Sequence, residues 1–287
     1  MINELFKTNS AKTQATGRDI NVRANNITIC YDDLGKGAIP IIFIHGFPFD
    51  KSMWQPQMEE LKSQHRVIAY DIRGFGKSGN DSEELSMGLF SEDLIAFMDA
   101  LQIGKAVICG LSMGGYIALN AINRFSDRFE GLILCDTQCI ADSPEGKQKR
   151  YKTIEHIQAG GLNDFAEGFV KNVFYKESFN DKAAVIEKIK CTILSTSLES
   201  ITGTLVALAE REATCTSFDA ISVPTLIICG REDVVTPPVQ SEHLQSGIKN
   251  SWLQIIDRAG HLSNLEQPEE FNKHLQHYLS SFARRHH

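Results

Sequence analysis

A serine flanked by two glycines is the strongest candidate nucleophile in this chain. Ser112 stands in Gly110-Leu111-Ser112-Met113-Gly114, between an apolar run and a stretch rich in small residues. A sharp strand-to-helix turn would hold Ser112 in a strained conformation with its hydroxyl exposed, and the glycines leave room for that turn. The helix N-terminus would then point free N–H groups and its positive dipole end at the site. An inert serine in a glycine-rich turn is the alternative interpretation.

A serine hydroxyl needs a base to accept its proton and a third group to orient that base. On a parallel sheet these partners follow in the order serine, acid, histidine, each just after the C-terminal end of a strand. Asp233 follows the apolar run 223–229, and His261 follows the run 252–256. We therefore predict a triad of Ser112, Asp233 and His261.

Other interpretations of these polar residues remain open. Asp233 could instead cap the next helix, and His261 could lie on a surface loop. Asp136 also follows an apolar strand, which makes it the alternative acid. His45, beside a glycine, is interpreted as bracing a loop.

Acyl transfer also places negative charge on the substrate oxygen, and fixed N–H donors must stabilise that charge. The backbone N–H of Met113, directly after the nucleophile, is one candidate donor. The backbone N–H of Phe47, in the His45-Gly46 loop after an apolar strand, is the other. We predict that these two groups form an oxyanion hole.

Strands alternate with helices along most of the chain, which favours a doubly wound parallel sheet. Two short runs, 19–24 and 27–32, flank Asn25-Asn26 and predict a hairpin. The predicted parallel strands are 39–44, 66–70, 106–109, 131–136, 223–229 and 252–256.

The alternation stops between residues 139 and 219, where the pattern is helical throughout. Helices are predicted at 147–158, 162–173, 182–194 and 201–210. We predict a helical lid over 139–219, with a core domain made of 19–138 and 220–283. Phe165, Phe169 and Phe174 could line an apolar pocket beneath it, or could pack the lid helices together.

Composition narrows the classes of function. The net charge of −7 argues against nucleic-acid binding, and no apolar run reaches the length of a membrane span. Residues 1–10 show no signal-peptide core. Seven scattered cysteines without a Cys-x-x-Cys pair favour buried free thiols in a reducing cytosol and no metal site. We expect a cytoplasmic monomer or homodimer that acts on a small molecule without a cofactor.

Several motifs together resemble the α/β-hydrolase fold superfamily over residues 19–283. They are His45-Gly46-Phe47-Pro48, Asp71-x-Arg73-Gly74-x-Gly76-x-Ser78, Gly110-x-Ser112-x-Gly114-Gly115, Gly230-x-x-Asp233 and Gly260-His261. The resemblance implies a mostly parallel eight-stranded sheet flanked by helices, with a helical lid. It also implies the catalytic roles of Ser112, Asp233 and His261. The stretches 111–115 and 260–266 are most similar to small carboxylesterases and 3-oxoadipate enol-lactonase-like hydrolases.

The expected reaction is hydrolysis of small carboxylic esters or lactones through an acyl-enzyme. A serine at the nucleophile position disfavours haloalkane dehalogenases and epoxide hydrolases, whose nucleophile in this superfamily is aspartate. Three alternatives remain open. Pro48 resembles cofactor-free haloperoxidase-like perhydrolases, Gly230-Arg231-Glu232-Asp233 is similar to carbon–carbon bond hydrolases, and some superfamily members are small-ligand receptors with an intact triad.

Overall fold

A single mixed sheet forms the centre of the computed structural model, which describes residues 16–81 and 84–283. Its strands are β1 (Gly17–Ala24), β2 (Ile27–Leu34), β3 (Ile41–Ile44), β4 (Val67–Tyr70), β5 (Ala106–Leu111), β6 (Phe129–Cys135), β7 (Thr225–Gly230) and β8 (Ser251–Ile256). The eight strands lie in the order β1-β2-β4-β3-β5-β6-β7-β8. The last six of these are parallel to one another, and β1 and β2 are antiparallel to their neighbours. The predicted mostly parallel, eight-stranded sheet is confirmed.

The central strands are apolar because helices cover both faces of the sheet. Every residue of β3, β5 and β7 is buried. At the sheet's edge, Asn25 and Asn26 have φ values of 41° and 67° and close the predicted hairpin between β1 and β2. Positive φ at both turn residues is what a two-residue hairpin requires. Residues 1–10, in which the sequence shows no signal-peptide core, lie outside the described residues.

Helices follow most strands and form two apolar layers. They are α1 (Gln55–Leu61), α2 (Met87–Ala100), α3 (Met113–Arg124), α4 (Pro144–Gln158), α5 (Leu162–Val173), α6 (Ser178–Asp181), α7 (Ala183–Ser195), α8 (Leu198–Ala209), α9 (Pro238–Gly247), α10 (Ser263–Glu266) and α11 (Pro268–Ala283). Phe97 of α2 and Ile117 of α3 belong to the layer on one face of the sheet. Met58 of α1 and Phe271 of α11 belong to the layer on the other.

The segment between β6 and β7, residues 139–219, contains α4 to α8 and no strand, and we call it the helical insertion. Within it α4 packs on α8 and α5 packs on α7. Ser143 and Ser197 begin α4 and α8 by accepting hydrogen bonds from Gly146 N and Ser200 N, each at 3.1 Å. The all-helical character predicted for this segment is therefore observed.

Within residues 16–81 and 84–283, no single helix has the length and apolar character needed to cross a membrane. The consecutive helices α7 and α8, bent by 97° at their junction, reach those limits only as a pair.

Two cysteines depart from the sequence prediction of free thiols. Cys139 and Cys215 form a disulfide across a sequence separation of 76. The two ends of the helical insertion converge there, which cysteine spacing alone does not reveal. The other five cysteines are free, but Cys191 is exposed rather than buried.

A buried ion pair fixes the loop after β4. Both Arg73 and Asp93 are 1% exposed. The Arg73 guanidinium donates two hydrogen bonds to the Asp93 carboxylate, at 2.8 and 2.7 Å. Such a bidentate pair couples the loop to α2.

Asp93→Ala is expected to lower the free energy of unfolding by about 3 kcal/mol, because the buried Arg73 guanidinium loses its bidentate partner and keeps only the ion pair with Asp81. Urea unfolding measures the change. The adjacent Glu92→Ala is the matched control, since Glu92 forms an exposed ion pair with Arg124. This control should lose less than about 1 kcal/mol, and equal losses in both variants would contradict the assignment.

Candidate active site

Ser112 occupies a strained turn between β5 and α3. Its φ and ψ are 54° and −114°, a conformation that side-chain-bearing residues rarely adopt. Its N–H donates to Cys135 O at 2.9 Å, which ties the turn to β6. A Cβ on Gly110 would overlap the backbone of Gly114, and one on Gly114 would overlap the carbonyl of Ile44. The predicted strand–turn–helix geometry around Ser112 is therefore present.

Three polar side chains meet at the C-terminal edge of the parallel strands. His261 Nε2 lies 2.8 Å from Ser112 Oγ, and the two residues are 149 apart in sequence. His261 Nδ1 lies 2.7 Å from Asp233 Oδ2. The predicted serine, histidine and aspartate thus form one continuous hydrogen-bond chain.

The loop after β7 holds the Asp233 carboxylate in place. Asp233 Oδ1 accepts hydrogen bonds from Val235 N at 2.8 Å and Thr236 N at 3.0 Å. The other oxygen, Oδ2, accepts from Thr236 Oγ1 at 2.8 Å and is the oxygen that contacts His261 Nδ1. Asp233 holds its own turn and contacts the histidine, but it does not cap α9, whose N-cap position is Pro237 with no side-chain cap.

Electrostatics in this pair favour charge on the imidazole. Burial alone would raise the pKa of Asp233, but the nearby His261 and its hydrogen bonds lower that pKa overall. Burial alone would lower the pKa of His261, but the Asp233 carboxylate raises it above 6.5. An imidazole with this partner can accept a proton from a neighbouring hydroxyl and hold it.

Asp136, the alternative acid, contacts other groups. It is fully buried, with Oδ1 accepting from Gly230 N at 2.8 Å and Oδ2 accepting from Ser263 Oγ at 2.5 Å. Burial, followed by the charge of Asp233, raises its pKa well above 3.8. Asp136 therefore links the loop that carries Asp233 to the loop that carries His261, without replacing Asp233 beside the imidazole.

Glu266 is a structural residue that the sequence did not single out. Its buried carboxylate accepts from Gly260 N at 2.8 Å, Tyr175 N at 2.8 Å and Ser178 Oγ at 2.5 Å. Burial raises its pKa although these hydrogen bonds oppose the shift. In addition, His261 N donates to the carbonyl of Val173 at 2.8 Å. The histidine loop is thus joined to the helical insertion.

The two candidate oxyanion donors are backbone N–H groups without a partner in the described part of the fold. Within residues 16–81 and 84–283, no hydrogen-bond acceptor is found for the backbone N–H of Phe47 or of Met113. His45 braces the loop that carries Phe47, as predicted, because its Nε2 accepts from Ile72 N at 3.0 Å and its Nδ1 donates to Gly46 O at 2.9 Å. Burial lowers the pKa of His45, which keeps this ring neutral.

A cavity of about 700 Å³ lies between the sheet edge and the helical insertion. Its apolar lining includes Phe47, Phe165, Phe169, Leu205 and Val234. Phe47 carries one of the predicted oxyanion donors, and Val234 directly follows Asp233. Basic residues of α4, among them Lys149 and Lys152, also line it.

Phe174 does not line this cavity, which corrects its assignment to substrate binding. It follows the last residue of α5, is 4% exposed, and packs into the apolar layer on the other side. Its ring contacts Phe179, with centroids 6.5 Å apart. Phe165 and Phe169 lie one helical turn apart on α5 and therefore share one face of the helix, and that face lines the cavity.

One group of potential metal ligands among the described residues lies away from this site. Donor atoms of Cys139, Cys215 and His243 are all within 4.8 Å of one another. The sequence prediction of no metal site rested on spacing, and these three donors come from distant segments.

The fold, the strained serine and the hydrogen-bonded triad define a class of protein. A family model of the alpha/beta hydrolase fold matches residues 39–268, and the chain belongs to this family. The chain is 33% identical over 262 residues to 3-oxoadipate enol-lactonase 1 of Acinetobacter baylyi, covering 90% of this chain and 92% of that protein.

Solved structures are similar over comparable lengths. A thermophilic esterase from Thermogutta terrifontis is 35% identical with a TM-score of 0.87, covering 91% of this chain and 98% of the esterase. The enol-lactonase from Burkholderia xenovorans is 27% identical with a TM-score of 0.85, covering 91% and 100%.

Proposed function

We propose that the protein is a serine hydrolase that cleaves carboxylic esters or lactones of small molecules through an acyl-enzyme on Ser112. The observation that carries this proposal is the hydrogen-bond chain from Ser112 Oγ through His261 to Asp233. The names of the related esterase and enol-lactonases support the same type of bond. No cofactor enters the proposed reaction.

His261 Nε2 accepts the Ser112 proton as Oγ attacks the carbonyl carbon, and Asp233 stabilises the imidazolium that results. The backbone N–H groups of Phe47 and Met113 donate to the developing oxyanion. His261 then donates the proton to the leaving alkoxide, which remains attached to the acyl group when the substrate is a lactone. Water, deprotonated by His261, releases the acid and restores Ser112.

The helical insertion acts as the lid in this proposal, with residues 19–138 and 220–283 as the core domain. Residues on both sides of the cavity support it, since Phe47 belongs to the core and Phe165 and Phe169 belong to α5. The apolar side chains in this lining suit the hydrocarbon part of a small ester or lactone.

The direct test is to trap the acyl-enzyme. Wild-type protein is mixed with p-nitrophenyl acetate, quenched in acid within the first turnover, digested and analysed by mass spectrometry. The expected result is a burst of p-nitrophenol and one acetyl group on the peptide containing Ser112. Turnover of esters and lactones with an acyl group on a different residue, or no turnover at all, would overturn the proposal.

The same preparations distinguish the alternative activities. Metal-free halogenation that depends on hydrogen peroxide and falls in Pro48→Leu would indicate a perhydrolase. Cleavage of a vinylogous diketone without ester turnover would indicate a carbon–carbon bond hydrolase. Tight binding of a small ligand without turnover would indicate a receptor.

Phe169→Ala is expected to lower kcat/KM for p-nitrophenyl butyrate by roughly 10-fold, because the acyl chain loses an apolar contact. The loss should be smaller for the acetate ester, whose chain is shorter. Phe174→Ala is the control on the same segment. It should leave the ratio of butyrate to acetate turnover unchanged but lower the free energy of unfolding by about 3–5 kcal/mol. A changed ratio in Phe174→Ala would show that Phe174 faces substrate.

A further inference from the structure

We propose that Cys139, Cys215 and His243 form a redox-gated zinc site at the base of the helical insertion. In the oxidised protein the two cysteines form the disulfide seen in the structure. In the reduced protein the two thiolates and the His243 imidazole bind one Zn²⁺. None of these three residues takes part in the proposed hydrolase reaction.

The backbone keeps the two cysteines adjacent without help from the disulfide. Thr214 N, immediately before Cys215, donates to the carbonyl of Cys139 at 2.8 Å. Their Cα atoms are 5.0 Å apart. Cys139 lies just after β6, where the helical insertion leaves the sheet. Cys215 is the first residue of the short 3₁₀ helix Cys215–Ala220, where the insertion returns to the sheet. Reduction would therefore leave two thiols side by side.

His243 reaches this pair from a different element. It lies on α9, and its ring packs edge-on against Phe218 of the 3₁₀ helix Cys215–Ala220. The ring centroids are 6.1 Å apart and the angle between the ring planes is 88°. One of its ring nitrogens is within 4.8 Å of both sulfur atoms. Ligands on one tetrahedral Zn²⁺ are about 3.3–3.8 Å apart, given Zn–S near 2.3 Å and Zn–N near 2.0 Å. In the proposed reduced form, side-chain rotations bring the three donors from within 4.8 Å to that separation.

The donor types suit zinc. Two thiolates and one neutral imidazole form a Cys₂His set that balances the 2+ charge, and a water molecule can complete the tetrahedron. Charge balance matters because Cys139 is 3% exposed. Because the side chain of His243 is exposed, a zinc ion could reach the site from solvent.

The zinc site would form in two steps, reduction of the disulfide and then binding of Zn²⁺. Two molecules of a small thiol reduce the disulfide by exchange, giving one small-molecule disulfide and two protein thiols. Both protein thiols lose their protons on binding Zn²⁺, so that two Zn–S bonds and one Zn–N bond form and two protons are released.

The other five cysteines favour a reducing compartment, in which Cys139 and Cys215 would be thiols. Five of the seven are free, and the Cys109 and Cys135 sulfurs remain unbonded at 3.8 Å. Free thiols in this number are typical of a reducing compartment. There, Cys139 and Cys215 would be available as ligands.

The two states constrain the fold differently. The disulfide joins the ends of the helical insertion only to each other. The zinc site would also join them to α9, the helix that follows the loop carrying Asp233. Zinc should therefore raise the Tm of the reduced protein by mass action and leave the Tm of the oxidised protein unchanged.

The test uses the full chain with His286 and His287 replaced by alanine, so that the two terminal histidines contribute no binding. The protein is reduced with a phosphine, desalted without oxygen and titrated with Co²⁺ and then with Zn²⁺. One equivalent of Co²⁺ should give tetrahedral visible bands and a thiolate charge-transfer band, both removed by Zn²⁺. The oxidised protein should give neither band.

Variants identify the ligands. Cys139→Ser and Cys215→Ser should abolish the charge-transfer band, and His243→Ala should weaken Zn²⁺ binding by roughly 10-fold or more. Cys191→Ser, at an exposed free cysteine, is the matched control and should bind as the parent does. Absence of binding in the reduced parent, or unchanged affinity and spectrum in His243→Ala, would overturn the proposal. Because His243 is exposed, this variant remains informative even if a cysteine variant fails to fold.

Discussion

Ser112→Ala is expected to lower kcat/KM for p-nitrophenyl esters by roughly 10⁴-fold or more, because it removes the proposed nucleophile. The hydroxyl lies 2.8 Å from His261 Nε2, at the end of the hydrogen-bond chain. Alanine removes the attacking atom and leaves the imidazole and the backbone donors in place. Stopped-flow and steady-state assays with the acetate ester should show loss of both the burst and the turnover.

The folded state should survive this substitution. Alanine changes neither the φ of 54° at position 112 nor the packing of Gly110 and Gly114 around it. Urea unfolding of Ser112→Ala should therefore coincide with that of the wild type within about 1 kcal/mol. A correctly folded variant that keeps more than about 1% of the activity would contradict the role assigned to Ser112.

The sequence predicts the position of Ser112 well because local sterics fix it. A Cβ at Gly110 or Gly114 would overlap backbone atoms in this tight turn, and the apolar run before them identifies β5. Asp233 and His261 were predictable for a related reason. Each follows a recognisable apolar run, which forms the buried strand β7 for Asp233 and the edge strand β8 for His261. Parallel strands present their C-terminal ends at one edge of the sheet.

Contacts that depend on which way a side chain faces were not predictable. Phe174 shares its segment with Phe165 and Phe169, yet it turns into the apolar layer because α5 ends one residue earlier. Glu266 resembles any acidic residue near a helix, and only the fold shows that Tyr175 and Ser178 of the helical insertion converge on it together with the nearby Gly260. Long-range packing decides such contacts, and sequence periodicity records only the local element.

The disulfide illustrates the same limit for chemistry. Cys139 and Cys215 are ordinary in sequence, since neither belongs to a recognisable spacing motif. Their pairing follows from the way the helical insertion leaves the sheet after β6 and returns before β7. The cysteine count indicated a reducing environment, but it could not identify which two thiols lie together.

Asp233→Asn is expected to lower kcat by roughly 10⁴-fold, because the structure determines which way the new amide must face. Oδ1 of residue 233 accepts hydrogen bonds from the backbone N–H groups of Val235 and Thr236, at 2.8 and 3.0 Å. An asparagine keeps these bonds only with its carbonyl oxygen at that position. Its NH₂ group then faces His261 Nδ1 and donates to it. The imidazole proton moves to Nε2, which can no longer accept the proton of Ser112.

The pH profile gives this prediction a second readout. His261 must be neutral to act as the base, so kcat/KM should fall as the pH decreases through the pKa of His261. Asp233 raises that pKa above 6.5. The residual activity of Asp233→Asn should therefore have its acidic limb at lower pH than the wild type.

Asp136→Asn is the matched control, because it removes another buried carboxyl close to Asp233 and His261. Its Oδ1 can still accept from Gly230 N, and Ser263 Oγ can accept from the new NH₂ group. The pKa of Asp136 lies well above 3.8, so a neutral amide resembles the native carboxyl more closely here than at position 233. We expect less than a 10-fold loss of kcat and little movement of the acidic limb. The opposite pattern, a severe loss in Asp136→Asn and a mild one in Asp233→Asn, would make Asp136 the acid of the triad.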